Sequence, residues 1–170
     1  MARVAFLFTI LLYSHILQAD VSVYTVEGNI QAAFPGKPQY VGELGQGRQR
    51  HRSYQIADGK NVLAYAVTYQ VGRTKFKQKD VADALRQYIK GQSLVVSGKI
   101  ESFVPVRIQE NEGAHFVIAY TLNGASVRKY GAVMYRDGQF FQWTVQDFPG
   151  ISRQSGAHIF QAYVKHFSIK

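Results

Sequence analysis

Between residues 114 and 145, apolar side chains recur at alternate positions or in short continuous runs, and two turn pairs interrupt them, Asn123-Gly124 and Asp137-Gly138. Such pairs suit two-residue hairpins, because both central positions take positive φ, which Gly accepts freely and Asn or Asp tolerates. The pattern predicts an antiparallel meander of three strands over residues 115–120, 127–135 and 140–145, onto which the rest of the chain is built.

Upstream, short strands are expected over 21–26, over 30–34 (stopped by Pro35-Gly36 and Pro38) and over 40–44. Residues 53–56 and 61–71 flank Asp58-Gly59, a third hairpin signal. In the second arm Leu63, Tyr65, Val67 and Tyr69 share one face, and Val62, Ala64, Ala66 and Thr68 share the other. Both faces are largely apolar, which predicts a central strand with helices above and below it.

Helical spacing follows. Asp80 is the expected N-cap of a helix carrying Val81, Leu85, Tyr88 and Ile89, with Gly91 as a stop or interruption. Leu94-Val95-Val96 fits either a continuation of that helix or a new strand, and the pattern leaves both open. Residues 99–108 read as a strand or extended segment broken by Pro105. Near the end, Ser152 is a candidate cap for a helix in which Ala157, Phe160, Val164 and Phe167 recur at three or four residues, and residues 167–169 are suited to return to the sheet. The fold class expected is α+β, an antiparallel sheet sandwiched by helices.

The first residues change the picture of location. A basic start at Arg3, an apolar run over 4–12 and a small residue at Ala19 have the order of a secretory signal peptide, and the run is too short for the roughly 20 residues of a membrane-spanning helix. Residues 1–19 are therefore expected to be a signal peptide and 20–170 a single domain, periplasmic or secreted, with no transmembrane span after cleavage. The chain has no Cys, which excludes disulfides and a lipid-modified cysteine, and it has no Asn-x-Ser/Thr acceptor; both fit a bacterial envelope.

Charge narrows the partners. Removal of Arg3 with the leader takes the formal charge from +9 to +8, which draws a domain toward anionic lipid, envelope polymers or an acidic protein face. Export makes nucleic acid the least expected of these. Arg48, Arg50 and Arg52 alternate, as do Arg73, Lys75, Lys77 and Lys79, so in extended backbone each set presents its cations on one side, with Phe76 inside the second set. These seven residues are the candidate binding site for an anionic partner, weighed against an ordinary solvated loop leading into the helix.

Catalytic patterns are absent. His51, His115, His158 and His166 lack the local spacing of a metal site, and no G-x-S-x-G, phosphate loop or dinucleotide fingerprint occurs. No cofactor is expected. The residues that remain for a hydrolase with an unrecognised site are Glu110, Glu112 and His115. A third option is a small-molecule or lipid pocket between sheet and helix, motivated by the many aromatic residues.

Several segments together resemble the PsbP-like family, which includes photosystem II extrinsic proteins, a Ran-binding import factor of yeast and DcrB-like bacterial envelope proteins. They are Ala33-Phe34-Pro35-Gly36-Lys37-Pro38 closing an early strand, the strand from Tyr65 to Tyr69 with the helix after it, Gly113 before a strand, the hairpins, and the run from Tyr163 to Ile169. The resemblance implies an α/β/α sandwich without an enzymatic role and a binding or assembly function with divergent partners. It brings no set of functional residues with it. The function expected is that of an exported, non-catalytic binding or accessory protein.

Overall fold

A computed structural model describes residues 21–47 and 50–170. The expected leader and Arg48 lie outside the described residues. Among the described residues, ten strands and two α-helices follow in the order β1 Ser22–Val26, β2 Ile30–Phe34, β3 Gln39–Leu44, β4 His51–Asp58, β5 Leu63–Gln70, α1 Val81–Val95, β6 Lys99–Ile108, β7 Asn111–Leu122, β8 Ala125–Arg136, β9 Gln139–Asp147, α2 Gly156–Tyr163 and β10 Ser168–Ile169. Strands β3 to β9 make a seven-stranded sheet in the order β3-β4-β5-β9-β8-β7-β6, and β1-β2-β10 make a three-stranded one. Every pairing is antiparallel.

The meander stands at the centre as its pattern predicts. Asn123 and Gly124 have φ of 50° and 81°, and Asp137 and Gly138 have 51° and 84°, so both turns take the left-handed conformation that these residue pairs permit. The third signal behaves differently. Asp58 pairs with Leu63, so a four-residue loop separates β4 from β5, and its positive φ falls on Val62 at 55° rather than on Gly59. Asp58 holds that loop by accepting bonds from the amides of Lys60 and Asn61 and from the Asn61 side chain at 2.7 Å.

Alternation along β7, β8 and β9 divides the core in two. Ala114, Phe116, Ile118, Val133 and Phe140 face α1 and meet its buried stripe of Val81, Leu85 and Ile89. Ala132, Met134, Phe141, Trp143 and Val145 face the other way, onto Ile159 and Phe160 of α2 and onto β2. Helices alone therefore do not clad the sheet: one layer is α1, and the opposite layer combines α2 with the three-stranded sheet.

β5 is central and has the predicted apolar face, with Leu63, Tyr65, Val67 and Tyr69 all buried. Among the described residues, no helix covers its other face. α1 lies over β6, β7 and β8, because its apolar stripe finds large partners there, whereas Ala64, Ala66 and Thr68 offer it little area to bury.

Other local expectations are corrected by long-range partners. Asp80 does stand at the N-cap of α1, where a 3₁₀ turn over Gln78–Asp80 leads into the helix, but its side chain makes no cap bond. The helix runs through Gly91 to Val95, leaving Leu94 and Val95 exposed, and the Gly98 amide closes it on the Ser93 carbonyl at 2.7 Å. Pro105 does not break β6, because β6 is the edge of its sheet and a missing donor there costs no ladder bond. α2 is capped by Asp147, whose Oδ2 accepts from the Gly156 amide at 2.7 Å, while Ser152 Oγ instead bonds the Val62 carbonyl and the Phe148 amide. The helix stops at Tyr163, a 3₁₀ turn takes in Val164–His166, and β10 then joins β2.

His115 projects toward α2, with its ring 5.1 Å from that of Phe160 at 87°. Burial holds its imidazole below the ordinary value of 6.5. The unfolded chain thus binds this proton more readily, and stability should fall as pH drops from 6.5 through the folded-state value. Urea midpoints measured at about pH 7.5 and about pH 5 should differ more for the wild type than for His115→Gln. An equal pH dependence in the two proteins would exclude His115 as the source.

Candidate functional site

The two cation sets meet different fates. Arg50, just before β4, and Arg52, near its start, are paired within the fold. Arg52 donates to Glu43 at 2.6 Å and also pairs with Glu27, and Arg50 reaches Glu43 at 3.3 Å. The Tyr54 hydroxyl donates to Glu27 at 2.7 Å. That hydrogen bond above all holds the Glu27 carboxyl below its usual range; burial, the next largest influence, opposes it, and Tyr69 and Arg52 add to the lowering. Burial, then the bond to Glu27, pushes the Tyr54 phenol up to about 12. Glu27 follows β1, so the cluster ties the small sheet to the β4 and β5 end of the large one.

The second set stays available. Among the described residues, Arg73, Lys75, Lys77 and Lys79 form no ion pair with any carboxylate, and all four are exposed. Residues 71–77 run as an extended strap between β5 and α1, laid across the β8–β9 hairpin. The Thr74 amide donates to the Gly138 carbonyl at 2.7 Å, the Tyr135 hydroxyl donates to the Thr74 carbonyl at 2.8 Å, and the Phe76 amide donates to the Tyr135 oxygen at 3.0 Å. Gln139 Nε2 fastens the strap's root by donating to the Gln70 carbonyl at 2.8 Å.

Phe76 packs on Tyr135 and Phe140 at 5.5 and 6.1 Å, and Phe140 stacks on Tyr88 of α1 at 4.5 Å. With Thr74 turned in, Arg73, Lys75 and Lys77 project outward, as alternation predicts; Lys79 sits beyond them in the 3₁₀ turn. Beneath the cations is an open hollow of about 400 Å³ lined by Arg73, Lys75, Phe76, Tyr135, Asp137 and Gly138. Its one carboxylate, Asp137, lies 3.5 Å from Arg136. The sequence marks the cations but not their clamp, since the bonds from Tyr135 span about sixty residues.

The hydrolase candidates do not converge. Glu112 accepts from Gln78 Nε2 at 3.2 Å on the α1 side of β7, whereas His115, an odd number of residues on, faces α2. Glu110 is almost fully exposed and 3.9 Å from Arg107. Among the described residues, no three His, Asp or Glu side chains are grouped closely enough to hold a metal ion, and no helix is long and apolar enough to cross a membrane.

Comparison with solved structures supplies the fold's relatives. The chain superimposes on cyanobacterial PsbP from Synechocystis sp. PCC 6803 with a TM-score of 0.62 at 8% identity, covering 92% of this chain and 96% of that one. The fold is PsbP-like. A protein of unknown function from Pseudomonas aeruginosa, PA94, gives a TM-score of 0.55 at 10% identity over 88% of this chain and 97% of that one. A Bacteroides thetaiotaomicron protein gives 0.51 at 13% identity; 87% of this chain spans 48% of its length. No family model and no curated protein matches the sequence. At these identities the PsbP-like likeness concerns the fold alone.

Proposed function

We propose that this chain is an exported, non-catalytic binding or accessory protein of the bacterial envelope that engages an anionic component through the strap at residues 73–79. The observation that carries it is a row of four unpaired cations, three of them held outward on backbone pinned to a hairpin. A rigid strap loses little entropy when it docks, so its charges act together. Each basic residue near an anionic surface contributes about 1 kcal/mol, an attraction that salt screens.

Sedimentation with phosphatidylglycerol vesicles, with phosphatidylcholine vesicles and with immobilised polyglutamate tests the proposal. Binding to an anionic support should weaken as salt is raised and fall by about tenfold or more in Lys75→Glu/Lys77→Glu. Binding to neither anionic support, or binding indifferent to salt, would overturn it. Arg50→Gln should change affinity little, because that guanidinium already faces Glu43.

A further inference from the structure

Among the described residues, the α1-side face of the large sheet is only half covered by helix, and its character changes across the meander. Along one rung, Phe116 and Gly131 lie under α1 while Thr144, Ala66 and Gln55 continue outward. Along the next, Ile118 is followed by Lys129, Gln146, Ala64 and Ala57. The outer half of this face is thus floored by alanines and bordered by carboxamides, with the exposed Val41 of β3 beside them.

Because Ala57, Ala64 and Ala66 end at Cβ, a hollow of about 400 Å³ opens above them, rimmed by Lys37 and by Gln39, Gln55 and Gln146. That volume falls within the order of small-molecule sites. No carboxylate lines it. Gln146 Oε1 already accepts from the Tyr120 hydroxyl, which leaves the Gln146 amide nitrogen free to donate. Lys129 is the rung neighbour of Gln146 on the side away from the alanines, and side chains so placed stand about 5 Å apart at Cβ.

We propose that this hollow, with Lys37 on its rim and Lys129 on the strand beyond Gln146, binds a small hydrophilic anion: a carboxylate or phosphate carried on a body of sugar size. The carboxamides match hydroxyl groups, which both donate and accept; the Lys37 ammonium on the rim matches the charge, and Lys129 beside Gln146 adds a second cation next to the hollow. Lys129 has no hydrogen-bond or ion-pair partner among the described residues. Burial draws its amine down from the ordinary lysine value, a cost to its charged form that a bound anion would offset. The site is separate from the strap, and neither requires the other.

Backbone-amide NMR of the full chain, titrated with galacturonate, glucose 6-phosphate and uncharged glucose, decides it. The two anions should give saturable shifts centred on Ala57, Ala64, Ala66 and Gln146, and glucose should bind at least about tenfold more weakly. Lys129→Gln should weaken the anions by about tenfold or more. Ala57→Leu, at an exposed position that tolerates the larger side chain in folding, should block the hollow, and Lys75→Glu should leave binding intact. No saturable shift with either anion, shifts centred on residues 73–77 instead, or unchanged affinity in both Lys129→Gln and Ala57→Leu would overturn the proposal.

Discussion

Replacing Trp143 with alanine is expected to remove about 3–5 kcal/mol of unfolding free energy, the range for loss of a fully buried large aromatic side chain. Trp143 is completely buried on β9. Its ring stacks on Phe160 of α2, with centroids 5.9 Å apart and planes inclined at 18°, and its Nε1 donates to the Ala33 carbonyl of β2 at 3.2 Å. One side chain therefore pins the large sheet to both parts of the layer above it. The cavity is one cost, and the orphaned Ala33 carbonyl adds about 1–3 kcal/mol if no water reaches it. Trp143→Phe separates the two: it keeps a ring against Phe160 but loses the donor, and should cost about 1–2 kcal/mol. Against a total stability of about 5–15 kcal/mol, the alanine variant should unfold at a far lower urea concentration. A loss below about 1 kcal/mol would show that the layers are held elsewhere.

What local pattern could reveal was the set of elements whose causes are local. The Asn123-Gly124 and Asp137-Gly138 turns carry their own φ requirement, and the apolar face of β5 follows from period two. The PsbP-like fold was legible too, because it rests on the order of such elements. What stayed hidden depends on partners distant in sequence. Arg52 looks like a free cation until Glu27, twenty-five residues away, is folded against it. Ser152 looks like a cap until Asp147 takes that task from the end of β9. Charge alternation over 73–79 was visible, but the clamp that makes it a strap comes from Tyr135 and Gly138. Lys129 gave no signal at all, since one lysine in a strand reads as an outward residue; only the sheet register sets it beside Gln146.

The second large effect is expected at Gly131, where substitution normally welcome in a strand should be harmful. Gly weakens strands through backbone entropy, so Gly→Ala in open surroundings stabilises by about 0.4–1 kcal/mol. Here Gly131 pairs directly with Phe116, and a Cβ would stand 2.2 Å from the ring's Cζ and 2.5 Å from its Cε1. The Phe116 ring is buried in the cluster beneath α1, so it cannot swing out to solvent. Overpacking of this kind costs about 1–3 kcal/mol, and the larger Gly131→Val should reach the upper end or beyond. The paired substitution identifies the cause. If the ring lying over the glycine is what forbids a side chain, Gly131→Ala should be tolerated much better with Phe116→Leu than alone, giving a coupling of about 1 kcal/mol or more in a double-mutant cycle. Strictly additive losses would place the cost in the β8 backbone instead. A neutral Gly131→Ala would mean that the ring has room to move, and hence that α1 is packed less tightly over β7 and β8 than its buried stripe indicates.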